Sequence, residues 1–145
     1  NAKKLSGKSV CYVTLNKTYD SVKEMLKKSR VNTSNFIYID AISKTIKGVP
    51  EADDCYFVAS PGALTEISLV ISKFLKHNFD YLVFDSLTNM IIYAKKAPVA
   101  KFLSSIVNKI KSTDTKAVFY VLKAGQDESV IKQSGMFVDK ILEAD

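Results

Sequence analysis

Cysteine and histidine are scarce in this chain, with two of the first and one of the second in 145 residues. Cys11 and Cys55 each lie inside an apolar run, and a distant pair of that kind reads as reduced core thiols, which fits a cytoplasmic setting. His77 cannot complete a metal cluster with them. Its place at the end of a helical run, Phe74-Leu75-Lys76-His77-Asn78, reads as a group meeting terminal carbonyls rather than a catalyst, so no metal is expected. Long apolar runs are missing too: none approaches the 18 or so residues needed to span a bilayer. The start, Asn1-Ala2-Lys3-Lys4-Leu5-Ser6, has neither an apolar core region nor a small-residue cleavage site, so neither secretion nor membrane insertion is expected. With no initiator Met, Asn1-Ala2 reads as an appended remnant, which leaves room for sequence upstream.

Glycine is also sparse, at five residues, and glycine-dependent motifs are absent with it. No Gly-x-Gly-x-x-Gly, Gly-x-Ser-x-Gly or His-Glu-x-x-His occurs, so dinucleotide binding, α/β-hydrolase chemistry and zinc-peptidase chemistry have no support. Gly7-Lys8-Ser9 resembles the tail of a phosphate loop. A working one needs another glycine five residues earlier, where Ala2 stands, and must join a strand to a helix so that backbone N–H groups cradle the phosphates. Here a strand-like run follows instead, and the match is rejected.

What is present describes one globular domain over residues 1–145. A hydrophobic fraction of 47% with 25% charged residues is ordinary, and a chain of about 150 residues buries roughly 68–70% of its unfolded surface, enough for a core without staples. The net charge is +6. Its lysines are dispersed, with Lys23, Lys27, Lys28 and Arg30 on one helix, Lys95 and Lys96 in a loop, and Lys109, Lys111 and Lys116 at another helix end. A solvated basic surface explains that spread, and nucleic acid is a weak, salt-dependent partner at most.

In chain order, Ser9 to Leu15 is rich in β-branched and aromatic residues and apolar throughout, as in a strand covered on both faces. Tyr19, Val22, Met25 and Leu26 then recur at spacings of three and four, with Thr18 as N-cap and Lys27 and Lys28 in the last turn. Phe36 to Asp40 repeats the strand pattern and ends in a carboxylate. Ser43 to Asp54 reads as a surface loop, and Cys55 to Ala59 as a third strand. Ser60-Pro61-Gly62-Ala63 reads as a strand-to-helix turn with Ser60 as N-cap and Pro61 first in the helix, before an apolar face of Leu64, Ile67, Val70, Ile71, Phe74 and Leu75. Its N-terminus has an anion-binding alternative.

Tyr81 to Asp85 is the strand around which the rest is organised. Beyond it Asn89 to Tyr93 stays apolar, which implies packing over the end of the sheet or a subunit contact. Pro98 opens a helix through Val99, Phe102, Leu103, Ile106 and Ile110. Lys116 to Leu122 is a fifth strand, Glu128 to Gln133 a short helix, and Phe137 to Leu142 a polar edge strand. Strands alternating with helices predict an α/β fold, a three-layer α/β/α sandwich with a mainly parallel sheet.

In such a sheet ligands bind at the carboxyl ends of strands. The residues placed there are Asn16 and Lys17 after strand one, Asp40 after strand two, Ser60 after strand three, Asp85 and Ser86 after strand four, and Lys123 after strand five. A strand ending in Asp has the form of a Walker B element, whose carboxylate helps hold a nucleotide's magnesium ion. Asp40 with Asp85 is also an acid/base pair to consider.

The stretch Val10 to Ser21, Phe84-Asp85-Ser86-Leu87-Thr88, the helix from Pro98, Val118-Phe119-Tyr120-Val121-Leu122 and Phe137 to Leu142 together resemble the RecA-superfamily ATPases of the KaiC and RadA kind, especially uncharacterised archaeal KaiC-like domains. That resemblance implies a RecA-like fold, with Asp85 as the Walker B carboxylate and Ser86 as the hydroxyl after it. It also exposes departures. Where KaiC-like enzymes carry paired glutamates, one of which activates water, this chain has Asn16-Lys17, and the phosphate loop is absent. Loss of a general base typically costs about 10²–10⁴-fold in rate. The expectation is a degenerate, non-catalytic domain acting by protein contact, as a homo-oligomer or a regulatory module. Its self-association surface would involve Met90 to Tyr93. Three alternatives stand beside it: a fragment of a nucleotide-binding ATPase whose phosphate loop lies upstream, the only case in which Mg-ATP would be a cofactor; a phosphoester or small-ligand enzyme using Asp40, Asp85 and Ser60; and nucleic-acid binding.

Overall fold

The computed structural model describes residues 2–46, 48–49, 51–122 and 140–144. Six strands, β1 (Val10–Thr14), β2 (Phe36–Asp40), β3 (Cys55–Phe57), β4 (Tyr81–Asp85), β5 (Lys116–Leu122) and β6 (Lys140–Ala144), form one sheet in the order β3-β2-β1-β4-β5-β6. Every neighbouring pair is parallel. Among the described residues five helices lie between them: α1 (Tyr19–Lys28), α2 (Ser43–Ile46), α3 (Leu64–Phe74), α4 (Leu87–Ala94) and α5 (Lys96–Ile110), with a 3-10 turn at Ala2–Leu5 ahead of β1.

All five β1 residues are buried, because helices pack on both faces and alternate side chains serve two cores. On one face Cys11, Val13, Ile39, Leu82, Phe84 and Phe119 meet the apolar sides of α3, α4 and α5. Phe84 stacks on Phe119 at 5.3 Å and meets Phe102 edge-on at 6.1 Å, a geometry that adds about 0.5–1.5 kcal/mol per pair to the burial itself. On the other face Val10, Tyr12, Phe36, Tyr38, Val83 and Val118 pack with Tyr19, Val22 and Leu26 of α1. The result is a three-layer α/β/α sandwich with a parallel sheet.

The chain builds outward from β1 to β3, then returns to the centre and builds the other half from β4. The direction of filling therefore reverses between β1 and β4, and crossovers on either side of that point leave a crevice at the carboxyl ends of the two strands.

Several boundaries differ from the sequence expectations for local reasons. Ser60 does not cap α3, which begins at Leu64 with Ala63 before it. Instead the Ser60 hydroxyl accepts from Gly62 N–H at 3.2 Å and the Ser60 carbonyl accepts from Ala63 N–H at 3.1 Å, a tight turn ahead of the helix. A side chain at position 62 would crowd Tyr93, because a Cβ there would lie 3.1 Å from the Tyr93 Cβ and carbonyl oxygen. The segment expected as a loop from Ser43 opens with α2, and Ser43 is buried. The apolar stretch after β4 is helix α4, with Leu87 and Met90 buried over the core. Lys95 and Lys96 form no loop: Lys95, at φ 64°, is the junction between α4 and α5. Pro98 sits in the first turn of α5 rather than at its start, where a missing N–H does no harm. The last strand is an edge strand as predicted, though it runs Lys140–Ala144. The helix expected at Glu128 to Gln133, the residues 137–139 of the last strand, and Lys123 lie outside the described residues.

Candidate functional site

The parallel register sets one polar row across the carboxyl edge. Asp40 of β2 and Asp85 of β4 both pair with Thr14 of β1, and Asp85 pairs with Tyr120 of β5. Because side chains alternate, these four share the α1 face with Tyr12 and Tyr38. Thr14 is turned into the loop that follows it: its hydroxyl donates to the Lys17 carbonyl at 2.7 Å and accepts from Lys17 N–H at 3.3 Å.

Asp40 is fully buried and surrounded by donors. One carboxylate oxygen accepts from the N–H groups of Ile42 and Ser43, each at 2.8 Å, and the other from Tyr19 N–H at 2.8 Å and from the Ser43 hydroxyl. Tyr19 is the first residue of α1, so Asp40 satisfies a donor that no helical carbonyl can reach and places its oxygen at the positive end of that helix. Thr18 caps the same turn by accepting from Ser21 N–H at 3.2 Å. With both oxygens engaged, Asp40 is a structural carboxylate. Asp40 and Asp85 flank β1, about 10 Å apart at two strand spacings, and do not form an acid/base pair.

Asp85 is nearly buried and accepts from the Tyr12 hydroxyl at 2.6 Å. Burial and the neighbouring Asp85 charge hold the Tyr12 phenol well above its ordinary value, and the same two causes push Tyr120 up to about 12. Two hydrogen bonds tie Leu15, just after β1, to β4 and α4: Leu15 N–H donates to the Asp85 carbonyl at 2.6 Å, and the Asn89 side-chain amide donates to the Leu15 carbonyl at 2.6 Å. Ser86 occupies the N-cap position of α4 without a side-chain capping bond. The Asp85–Ser86 peptide bond is cis.

Among the described residues, two buried oxygens at this switch point have no partner. Ser86 is fully buried and its hydroxyl makes no hydrogen bond, and neither does the buried Oδ1 of Asn16. The fold therefore brings Asn16, Asp85 and Ser86 together at the β1–β4 crevice. Lys17 is exposed and its ammonium lies 3.5 Å from the Met25 sulfur. Ser60 follows β3, three strands away from β4. Sequence reasoning missed Tyr12, Thr14, Tyr120 and Asn89. Period-two alternation back from Asp85 and its equivalents would have flagged the first three; Asn89 carries no local signal.

Both cysteines are free, Cys11 buried and Cys55 half-buried, and burial pushes the Cys11 thiol up to about 12. Among the described residues no cluster of His, Cys, Asp and Glu could hold a metal ion, and no helix is long and apolar enough to cross a membrane. A family of unknown function, DUF7090, matches residues 6–145. No curated protein matches the chain.

Proposed function

We propose, given that this chain belongs to DUF7090, a family of unknown function, that it is a degenerate KaiC-like domain of the RecA superfamily that works by protein contact and not by catalysis. The observation that carries this reading is the state of the carboxyl edge. Asp40 is spent on holding α1 and α2, Asp85 is bonded to Tyr12, and an amide and a cation, Asn16-Lys17, stand where the KaiC-like resemblance places the glutamates. An amide cannot take a proton from water at neutral pH, and a protonated amine cannot either. The contact surface is then the outer side of α3, α4 and α5, where Leu69, Ile92 and Tyr93 are exposed; Met90 is buried beneath them and takes no part. A protein partner or a second copy is the binding class, nucleic acid is secondary, no cofactor is required, and the free thiols suit a cytoplasmic protein.

Thermal unfolding with and without millimolar Mg-ATP tests this. No shift is expected. A ligand at about 100 times its Kd adds roughly 2.7 kcal/mol, worth several degrees in a domain of this size, so such a rise would overturn the proposal.

A second reading has its own observation. The unpartnered Asn16 Oδ1 and Ser86 hydroxyl at the switch point favour a nucleotide-binding ATPase fragment whose phosphate loop lies upstream. A glycine-rich strand-to-helix turn in the upstream reading frame would support it.

A further inference from the structure

A groove of about 390 Å³ runs between α3 and α5, with Leu64 and Leu69 on one wall and Pro98 and Phe102 on the other. Tyr93 lies against Gly62, two residues before Leu64. Lys109 of α5 bridges to α3, its ammonium donating to the Ser68 and Ser72 hydroxyls at 3.0 and 2.7 Å. From Leu64 to Leu69 the α3 wall is about 7.5 Å long, five helical rises of 1.5 Å, which matches between one and two turns of a docked helix. Leu69 is 62% exposed and Ile92 70%, so the rim presents apolar surface to water at its walls as well as in the groove.

Among the described residues, the charges at the groove and on α4 and α5 have one sign. Lys101 lines the groove, and Lys95 and Lys96 stand at the α4–α5 junction just before the groove residue Pro98, all exposed. Helices α4 and α5 contain no acidic residue. The acidic residue of α3, Glu66, is turned away to accept from Ala59 N–H at 2.9 Å.

We propose that this groove docks an acidic amphipathic helix of a partner protein, a proposal that rests on the protein-contact reading above and names the partner's chemistry. Apolar residues at i, i+3, i+4 and i+7 of the incoming helix lie along Leu64, Leu69, Pro98 and Tyr93, and its flanking carboxylates meet Lys96 and Lys101. A second copy is the poorer occupant. A two-fold contact sets a patch against itself, so the lysine rim would face a lysine rim with no carboxylate on α4 or α5 to relieve it.

The test is a titration of the ¹⁵N-labelled chain with a helical peptide of about 14 residues, Leu at the apolar positions and Glu on the flanks, against the same peptide with Lys for Glu. The Glu peptide is expected to shift amides of residues 64–72 and 92–102 and to bind about tenfold more tightly than the Lys peptide, a difference that shrinks in high salt. Leu69→Ser and Ile92→Ser, at exposed positions that leave folding intact, each weaken it several-fold, and Lys96→Glu with Lys101→Glu reverses the preference. Equal binding of both peptides, shifts elsewhere, or no shifts would overturn the proposal. In sedimentation equilibrium on the same samples, a dimer dissolved by Ile92→Asp would overturn the acidic-helix occupant while leaving the protein-contact reading standing. Mg-ATP shifting amides 14–17 and 85–88 would overturn that reading itself.

Discussion

Two strands of this sheet end in the same way, β2 in Ile-Asp and β4 in Phe-Asp, and the two carboxylates do different work. Asp40 is held by three backbone N–H groups and a hydroxyl from segments that start within 21 residues of it, or within three on the other side. Asp85 meets a phenol from a strand 73 residues earlier. Backbone donors belong to the chain whatever its side chains are, so Asp40 builds the local structure that follows β1 and β2. A side-chain donor has to be supplied by sequence elsewhere, so Asp85 ties two strands across the crevice. A strand ending in Asp is thus a statement about position, and the donors decide the role.

The largest effect that could break this contrast is at Asp40. Asp40→Ala strips buried N–H groups of Tyr19, Ile42 and Ser43 of their acceptor, at about 1–3 kcal/mol for each group left unpaired. A loss of about 4 kcal/mol in urea unfolding is expected, and a loss below that of Asp85→Ala would overturn the structural role. Asp85→Ala leaves the Tyr12 hydroxyl buried without its acceptor and should cost about 2 kcal/mol.

The alkaline limb sharpens the same comparison. The folded-state value of Tyr12 lies above its ordinary value of 10.0, so the folded form holds a proton that the unfolded form releases. Its contribution is fully present below pH 10 and is lost as pH rises beyond it, by up to about 1.4 kcal/mol per pH unit. Tyr12→Phe should flatten that limb by one proton. Asp85→Asn, which removes a charge beside both tyrosines, should lower the Tyr120 titration from about 12, as followed by ultraviolet absorbance; an unchanged Tyr120 would show that burial alone raises it.

The smaller effects lie at the hydroxyl cap and on the exposed side of α1. Thr18→Ala removes the acceptor for Ser21 N–H and should cost about 1 kcal/mol, less than Asp40→Ala although both serve one helix end. Glu24→Gln breaks an exposed i,i+4 pair with Lys28 at 3.7 Å and should change stability by about 0.5 kcal/mol or less. A Thr18 effect as large as that of Asp40 would mean that the hydroxyl, and not the buried carboxylate, holds the helix.

Much of the fold was legible because its signals are local. The apolar runs at Val10–Thr14, Phe36–Asp40 and Tyr81–Asp85 are buried on both sides, and the spacing of Tyr19, Val22 and Leu26 carries one face of α1 into the core. The Thr18 cap was legible for the same reason. Ser60 was misread because its hydroxyl and carbonyl close a turn onto Gly62 and Ala63 before α3 begins, and a capping preference does not tell a turn from a helix start. At the site, Asn16, Asp85 and Ser86 were picked out from their strand ends. Their convergence, and the separation of Asp40 from them, was not.

The sequence by itself determined the alternation of strand and helix, the parallel α/β class and the set of polar residues at the carboxyl ends, since periods of 2 and 3.6 and the residues that stop them act over a few neighbours. Only the tertiary structure decided the strand order with its reversal between β1 and β4, the partner of each aspartate, and the lysine-rimmed groove between α3 and α5. Those depend on which distant segments pack together, and no short-range pattern states that choice.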